Sequence, residues 1–540
     1  MRLPLALAAA VCAAIVAVWA WLGAPVSAPP SPLAADEKLQ CVSYAPFRPG
    51  QSPFMAGLVI PPEQIDDDFE RLAKITDCVR TYSTEMGLVV VPEMARKHGL
   101  KILQGIWIGR DAAKNRVEID MAVKAAQENP DVIESVIVGN EVLLRGEQSA
   151  IDLATLIREV REKVPPQVQV TYADVWEFWE RNRDLQNSVD FVTVHILPFW
   201  EDMPVSAEKS VAHIAEIREH VGKVFEGKEI LIGETGWPSA GRMREGALPS
   251  PSNQANVIQE MLALAKERGW RVNVIEAFDQ PWKRASEGTV GGHWGFLDAY
   301  TRDFKFSWGD PTSDHPGWIW QAGVGVVFAL AIFAAAGGAQ RRSGGPEIRS
   351  QRWLAVSGIA LFAGLLYGRL IATIPLESLG PGGWSRGIVL LVLAAVVPLA
   401  CAAAIGLQSR LVTLGVALNP GMAPQTTRME KTLAWLLAAT IVLSVQIAFG
   451  LVFDPRYKDF QFAGLTPISM GFAMYALVAP RLLGGEDRLG ERIIAAIFLG
   501  SGLYVIVNET VANWQGLWTG ALFVALALTL WRIARGAPAK

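Results

Sequence analysis

Two spacings of apolar residues divide this chain. Across roughly 36–315, short β-branched runs alternate with segments whose apolar positions recur every three or four residues; beyond 316, apolar residues fill long unbroken runs. A short apolar run fits a strand. A period near 3.6 fits a helix with one buried face, and a solid run of about 20 residues fits a helix buried all round. The strand-like runs fall at 41–47, 78–83, 101–108, 133–139, 169–174, 191–197, 229–233 and 272–278. Helical patterns fall at 65–75, 117–128, 150–163, 207–225 and 253–268. Strands separated by helices build parallel βαβ units. Eight units in about 280 residues predict an α/β fold of the (β/α)8 TIM-barrel class. The rival is an open doubly wound sheet; the lack of a G-x-G-x-x-G turn after the first strand counts against its nucleotide-binding form.

The solid runs lie at 5–24, 318–337, 353–373, 387–407, 432–453, 464–480, 492–508 and 516–531. Each approaches the length a bilayer-spanning helix needs, with 464–480, 492–508 and 516–531 the shortest. The first follows Arg2 and precedes a Pro- and Ala-rich linker. It reads as an uncleaved signal-anchor, although basic, apolar and small-residue regions in that order also describe a cleaved signal peptide. The predicted organisation is a signal-anchor and linker over 1–35, a barrel over 36–315, and an all-α transmembrane domain of about seven helices over 316–540. Basic residues support one orientation. If 36–315 lies outside, the inner segments carry Arg341, Arg342, Arg349 and Arg352; Arg410, Arg428 and Lys431; Arg481, Arg488 and Arg492; and Arg532, Arg535 and Lys540. The outer loops carry only Arg386, Arg456 and Lys458, so the bias follows the positive-inside rule and lipid becomes a partner. Arg369 and Glu509, near helix ends, read as interfacial.

A net charge of −4 over 540 residues brings no basic patch for nucleic acid. Cys12 and Cys401 fall in apolar runs; Cys41 and Cys78 open the first two strands. Export would let that second pair form a disulfide, and two free buried thiols are the other reading. The six histidines show no zinc-ligand spacing, so no metal is expected, and nothing points to a cofactor. Asp66, Asp67 and Asp68 sit at a helix start, where acids suit the dipole, and read as structural.

Barrel active sites collect at the carboxyl ends of the strands. The polar residues there are Tyr44, Arg80 and Tyr82, Trp107, Asn140 and Glu141, Tyr172 and Asp174, His195, Glu234, and Glu276 with Lys283. Glu141 and Glu234 follow very apolar strands, the fourth and the seventh, whose ends face each other across a barrel mouth. Glycoside cleavage needs such a pair: one carboxyl protonates the leaving oxygen, and the other attacks the anomeric carbon or activates water. Asn140 is positioned for a sugar 2-hydroxyl, and His195, Tyr172 and Trp237 for holding the nucleophile and the ring. Each of these groups has a plainer reading. Glu141 and Glu234 could pair with Arg80 and Lys283, Glu276 could pair with Lys283, and any Trp could be packing.

Gly-Asn-Glu-Val at 139–142 and Gly-Glu-Thr-Gly-Trp-Pro at 233–238 resemble the pattern of glycoside hydrolase family 17. So do Val79 to Tyr82, His195 to Trp200, Glu276 to Lys283 and Gly292 to Gly295, and the likeness covers roughly 38–308. The resemblance implies a β-1,3-glucan-active barrel with Glu141 as acid/base and Glu234 as nucleophile, a covalent glucosyl-enzyme and net retention. Gln280 departs from it, standing where many members have glutamate. With its apolar tail the chain further resembles membrane-bound bacterial β-(1→6)-glucan synthase proteins of cyclic glucan synthesis. That implies a transglycosylase of the bacterial inner membrane, facing the periplasm and working beside other glucan-synthesis proteins. An endo-β-1,3-glucanase and a non-catalytic glucan-binding protein are the alternatives. Trp107, Trp176, Trp179, Trp200, Trp237, Trp282 and Trp294 are candidate sugar platforms, since sugar C–H faces stack on aromatic rings.

Overall fold

The computed structural model describes residues 2–418, 426–480 and 488–535; Arg481 and Lys540, which entered the count of basic residues, lie outside these. The chain forms two compact units. One comprises Val26–Ala240 and Gly246–Thr312, the other Met1–Pro25, Gly241–Glu245 and Ser313–Lys540.

In the first unit eight strands close into a barrel in chain order: β1 (Cys41–Ser43), β2 (Cys78–Arg80), β3 (Lys101–Ile106), β4 (Ile133–Asn140), β5 (Gln169–Val175), β6 (Val192–His195), β7 (Ile230–Thr235) and β8 (Arg271–Val274). Successive strands pair in parallel, and β1 closes the ring with Cys41 opposite Asn273 and Val42 opposite Val274. Strand side chains alternate between two faces. Val42, Val79, Ile102, Val136, Val138, Val170 and Val194 join Phe69, Ala122, Ile157 and Ile258 of the surrounding helices in one core. Their neighbours Cys41, Cys78, Leu103, Ile137, Ala173 and Leu231 form a separate cluster with Phe191, the filled interior expected of this fold. Cys41 and Cys78 meet there as a disulfide, their Cα atoms 4.4 Å apart.

Ladder pairing ends earlier than the apolar runs do. β1 stops at Ser43 and β8 at Val274, because the residues beyond turn away to build the barrel mouth, where Tyr44 N still donates to Arg80 O and Ala277 N to Ser43 O. The helices Val91–His98, Trp176–Arg181 and Arg284–Gly291 had no counterpart in the sequence reading; at eight residues or fewer they barely show a helical period. Gly105 in β3 is required by close approach, since a Cβ there would sit 2.3 Å from Thr81 O. Of the acidic triplet, Asp68 is fully buried and accepts from Tyr44, Arg48 and Arg302, a structural role.

The second unit is helical. Among the described residues seven helices are long and apolar enough to cross a membrane: Arg2–Leu22, Trp318–Ser343, Ser350–Glu377, Gly380–Gly406, Arg428–Phe453, Leu489–Glu509 and Trp514–Ala534. Phe462–Val478 is apolar but only 17 residues long. Arg2–Leu22 packs as an integral member, burying Ile15 and Trp19, with the Trp19 indole donating to Leu365 O at 3.2 Å. Small residues permit the close contacts typical of apolar bundles: a Cβ on Gly325 would lie 2.1 Å from Gly364 O. Segment Gly241–Glu245 belongs to this unit through Arg242, which pairs with Glu509, donates to Lys458 O at 3.1 Å and lies over the Phe460 ring. Met243 N donates to Gln515 Oε1 at 2.9 Å, and Asn513 Nδ2 to Met243 O at 3.1 Å. Glu509, expected at an interface, is therefore buried and ion-paired. Arg369 likewise turns inward, 3.4 Å from His315 Nδ1 and over the Phe462 ring.

Candidate active site

Glu141 leaves β4 on a turn no ordinary strand end makes. Gly139 has φ +89° and Glu141 itself φ +53°, a left-handed conformation that costs a side-chain-bearing residue about 1–2 kcal/mol. The surroundings impose it. Glu141 N donates to Ala173 O of β5 at 2.8 Å, Arg145 donates to Asn140 O and to Ile108 O, and Leu143 N donates to Tyr172 Oη at 3.0 Å and Asp174 Oδ2 at 3.2 Å. Tyr172 in turn donates to Asp174, whose carboxyl burial raises to about 6.

Glu234 ends β7 on the other side of the mouth and is 5% exposed. Its Oε1 accepts from Arg80 Nη1 and from the Tyr82 hydroxyl, both at 2.8 Å. Arg80 also donates to Gly233 O at 2.9 Å and to Asn140 Oδ1. His195 Nε2 lies 3.1 Å from that same Oδ1. Because Arg80 can only donate, Asn140 must turn its oxygen inward, which leaves its Nδ2 for a ligand oxygen. One oxygen of Glu141, one of Glu234 and a ring nitrogen of His195 all lie within 4.8 Å of one another.

The two carboxyls titrate in opposite directions. Burial, then the charge of Glu234, then Asp174 push Glu141 up to about 8, so it holds its proton at neutral pH. Burial also works to raise Glu234, but the charges of Arg80 and Lys283 and the Tyr82 hydrogen bond hold the group below its ordinary value. Since burial drops His195 to about 4, the imidazole is neutral at pH 7, and the standing positive charge beside Glu234 is Arg80. Glu276 accepts from Lys283 Nζ with both oxygens at 2.9 Å, yet burial still raises it to about 7.

Arg80, Tyr82, Asn140, Glu141, His195, Glu234, Glu276 and Lys283 thus converge at the strand ends. Three residues expected to touch sugar stand elsewhere. Tyr44 is buried with its hydroxyl on Asp68 at 2.9 Å; Tyr172 braces the Glu141 turn; and Trp237 is buried with its indole on Leu248 O, packed with Phe199 and Trp294. The apolar character that suggested platforms fits packing equally well. Trp282 is half-buried beside Phe47 and Phe54, its indole on Gln280 Oε1 at 2.8 Å, so Gln280 serves to hold that ring. Trp179 and Trp294 are buried as well, whereas Trp107 remains 43% exposed under the Arg145 guanidinium. Sequence reasoning missed Ser43 and Asn273. Asn273 Nδ2 donates to Ser43 Oγ and to Gly233 O, buttressing the Glu234 turn from β8, and one inward Asn on an apolar strand was the available signal. It also missed Arg145, whose guanidinium pins the Glu141 turn.

Glu141, His195 and Glu234 have the spacing of a cation site, but a cation there would meet the Arg80 charge and a protonated Glu141. Arg80 and Tyr82 occupy Glu234 Oε1, His195 Nε2 faces Asn140, and Glu141 is protonated. The donor set suits an acid and a carboxylate better than a metal.

Residues 41–295 match the BtgE/BtgC glycoside hydrolase domain. A glucan 1,3-beta-glucosidase of Arthroderma benhamiae is 30% identical over 285 residues, 48% of this chain and 90% of that relative. A probable beta-glucosidase btgE of Aspergillus clavatus is 30% identical over 228 residues, and the match spans only 39% of its length. The glycoside hydrolase family 17 β-1,3-glucanosyltransferase of Rhizomucor miehei is 27% identical, covering 49% of this chain and 95% of that one, with a TM-score of 0.43. The chain belongs to the glycoside hydrolase family defined by the BtgE/BtgC domain, and it is an enzyme of the glycosidase type.

Proposed function

We propose that this chain is a retaining β-1,3-glucan transglycosylase with Glu141 as acid/base and Glu234 as nucleophile. The carrying observation is that the two carboxyls bring oxygens within 4.8 Å in opposite protonation states. That spacing suits direct attack by one carboxylate; inverting enzymes keep their carboxyl groups about 6.5–9.5 Å apart to admit water. Glu234, ionised, attacks the anomeric carbon as Glu141 protonates the departing glycosidic oxygen. The C–O bond to the leaving sugar breaks and an ester to Glu234 forms. Glu141, now a carboxylate, then takes the proton of an incoming hydroxyl, whose oxygen displaces Glu234 and regenerates both groups. Asn140 Nδ2 binds the sugar 2-hydroxyl, and Arg80 holds Glu234 in line.

A sugar hydroxyl instead of water is favoured as acceptor by aromatic rings at the rim, with Trp107 43% and Phe54 80% exposed. Transfer to a 6-hydroxyl would make a β-1,6 linkage or branch in glucan synthesis. The seven apolar helices support a multi-pass protein of the bacterial inner membrane, and the loop charges support a periplasmic barrel. The second reading is an endo-β-1,3-glucanase; the glucosidase names of relatives support transfer to water but not the place of the cut. Incubation of the full chain in detergent with linear laminari-oligosaccharides separates the two. Longer or branched products mean transfer, and shorter products alone mean hydrolysis. Unchanged substrate would leave only a glucan-binding protein.

A further inference from the structure

Outside the residues already assigned, one carboxylate has the placement of a ligand-binding group without a hydrogen-bond donor among the described residues. Glu287 lies on helix Arg284–Gly291, which follows β8 across a short turn. Its charge bears on Glu141 at the end of β4, on Glu276 beyond β8 and on Lys283, and Glu234 of β7 bears on it in turn. The helix leaves the carboxyl end of β8, the same end of the barrel that carries Glu141, Glu234 and Glu276. Lys283, whose charge acts on Glu287, already gives Glu276 two contacts at 2.9 Å. Among the described residues the Glu287 carboxylate accepts no hydrogen bond, though it is half-buried. The backbone makes room for this. A Cβ on Gly291 would stand 2.4 Å from Glu287 Cβ and 2.7 Å from its Oε2, so only glycine lets the side chain fold back over the helix. Gly288, with φ +72°, breaks the helix beside it.

We propose that Glu287 is a specificity-determining residue that accepts hydroxyl hydrogen bonds from a neutral glucosyl unit bound beside the Glu141–Glu234 pair. A half-buried acceptor without a donor is unfavourable, and a polyhydroxyl ligand supplies donors. The inference rests on the glucan reading above and adds a residue that holds the sugar without taking part in proton transfer.

The test uses the full chain in detergent. With laminari-oligosaccharides, Glu287→Gln should raise KM about tenfold or more, the loss expected for a hydrogen bond to a charged group, with kcat at its own pH optimum within about twofold. Gly291→Ala keeps the carboxylate but displaces it, and should raise KM likewise. Laminaritriose binding by calorimetry, comparing Glu234→Gln with Glu234→Gln/Glu287→Gln, should show the same tenfold loss without any turnover. Binding that depends on Glu287 in a wild-type protein without turnover would sink the transglycosylase reading but keep this one. Unchanged KM and unchanged laminaritriose affinity would overturn it. So would a fall in kcat of about tenfold or more with KM unchanged, which would make Glu287 a charge acting through Glu141 and not a sugar contact.

Discussion

Replacing Glu234 by Gln should change the acidity of a different residue. Burial is the largest reason Glu141 reaches about 8, and the Glu234 anion is the next. With oxygens at most 4.8 Å apart, the repulsion between two ionised carboxylates is about 3.5 kcal/mol at an effective dielectric of about 20. At 1.36 kcal/mol per unit, this bare charge–charge figure corresponds to about 2.5 pKa units, and because burial contributes more than the anion, the anion's part of the rise from 4.5 to about 8 is at most about half. Glutamine removes the charge and keeps the volume, so Glu141 should drop from about 8 to roughly 6.5, the remaining elevation coming from burial and Asp174. At pH 7 the side chain would pass from mostly protonated to mostly ionised. Carbon-13 titration of labelled glutamate carboxyls reads this directly, with the Glu141 signal identified by its loss in Glu141→Gln. The same change is expected during turnover. Esterified Glu234 is neutral, and the acid of the first step thereby becomes the base of the second. A Glu141 titration within half a unit of wild type in Glu234→Gln would refute the electrostatic argument and remove the physical basis for that exchange of roles.

Other outcomes follow from the same geometry. Turnover should fall as pH rises through about 8, where Glu141 loses its proton, and on the acid side only below about 4.5, where Glu234 gains one; a pH profile of kcat/KM checks both limbs. Glu141→Gln should lower the rate on laminari-oligosaccharides by about 10²–10⁴-fold and far less on a dinitrophenyl glucoside, whose leaving group needs no proton. Serine at both Cys41 and Cys78 should cost about 2–4 kcal/mol of stability, seen as a lowered barrel melting temperature. Arg242→Met strands Glu509 as a buried unpaired charge, a loss of about 3–5 kcal/mol in detergent unfolding that Glu509→Gln should partly reverse.

The barrel was legible because each strand carries its apolar run and five helices are long enough to show a period. Helix Ala150–Lys163 begins and ends where its pattern does. The charged members of the site were legible too, since Glu141, Glu234, Arg80 and Lys283 are costly to bury and stand at strand ends. What the pattern hid was direction. Tyr44 directly follows β1 and Tyr82 follows β2 after Thr81, yet Tyr82 reaches Glu234 and Tyr44 reaches Asp68. The rule of strand ends treats both alike, but Tyr44 stands one residue past its strand and Tyr82 two, so the alternation of faces sends them to opposite sides. Arg145 and Asn273 act through a backbone carbonyl and a turn, and a sequence carries no mark of which carbonyl a side chain will meet.

The interleaving of the two units bears on how the chain is made. Ile15 and Trp19 of the first helix are covered by residues around Gly325, Gly364 and Leu365, which leave the ribosome only after the whole barrel. At about 5–20 residues per second, that helix waits for tens of seconds. It is long and apolar enough to cross a membrane. Its partners, Trp318–Ser343 and Ser350–Glu377, are the first long helices made after the barrel. A nascent chain stopped at the end of the barrel would hold a helix whose buried face has nothing to close on.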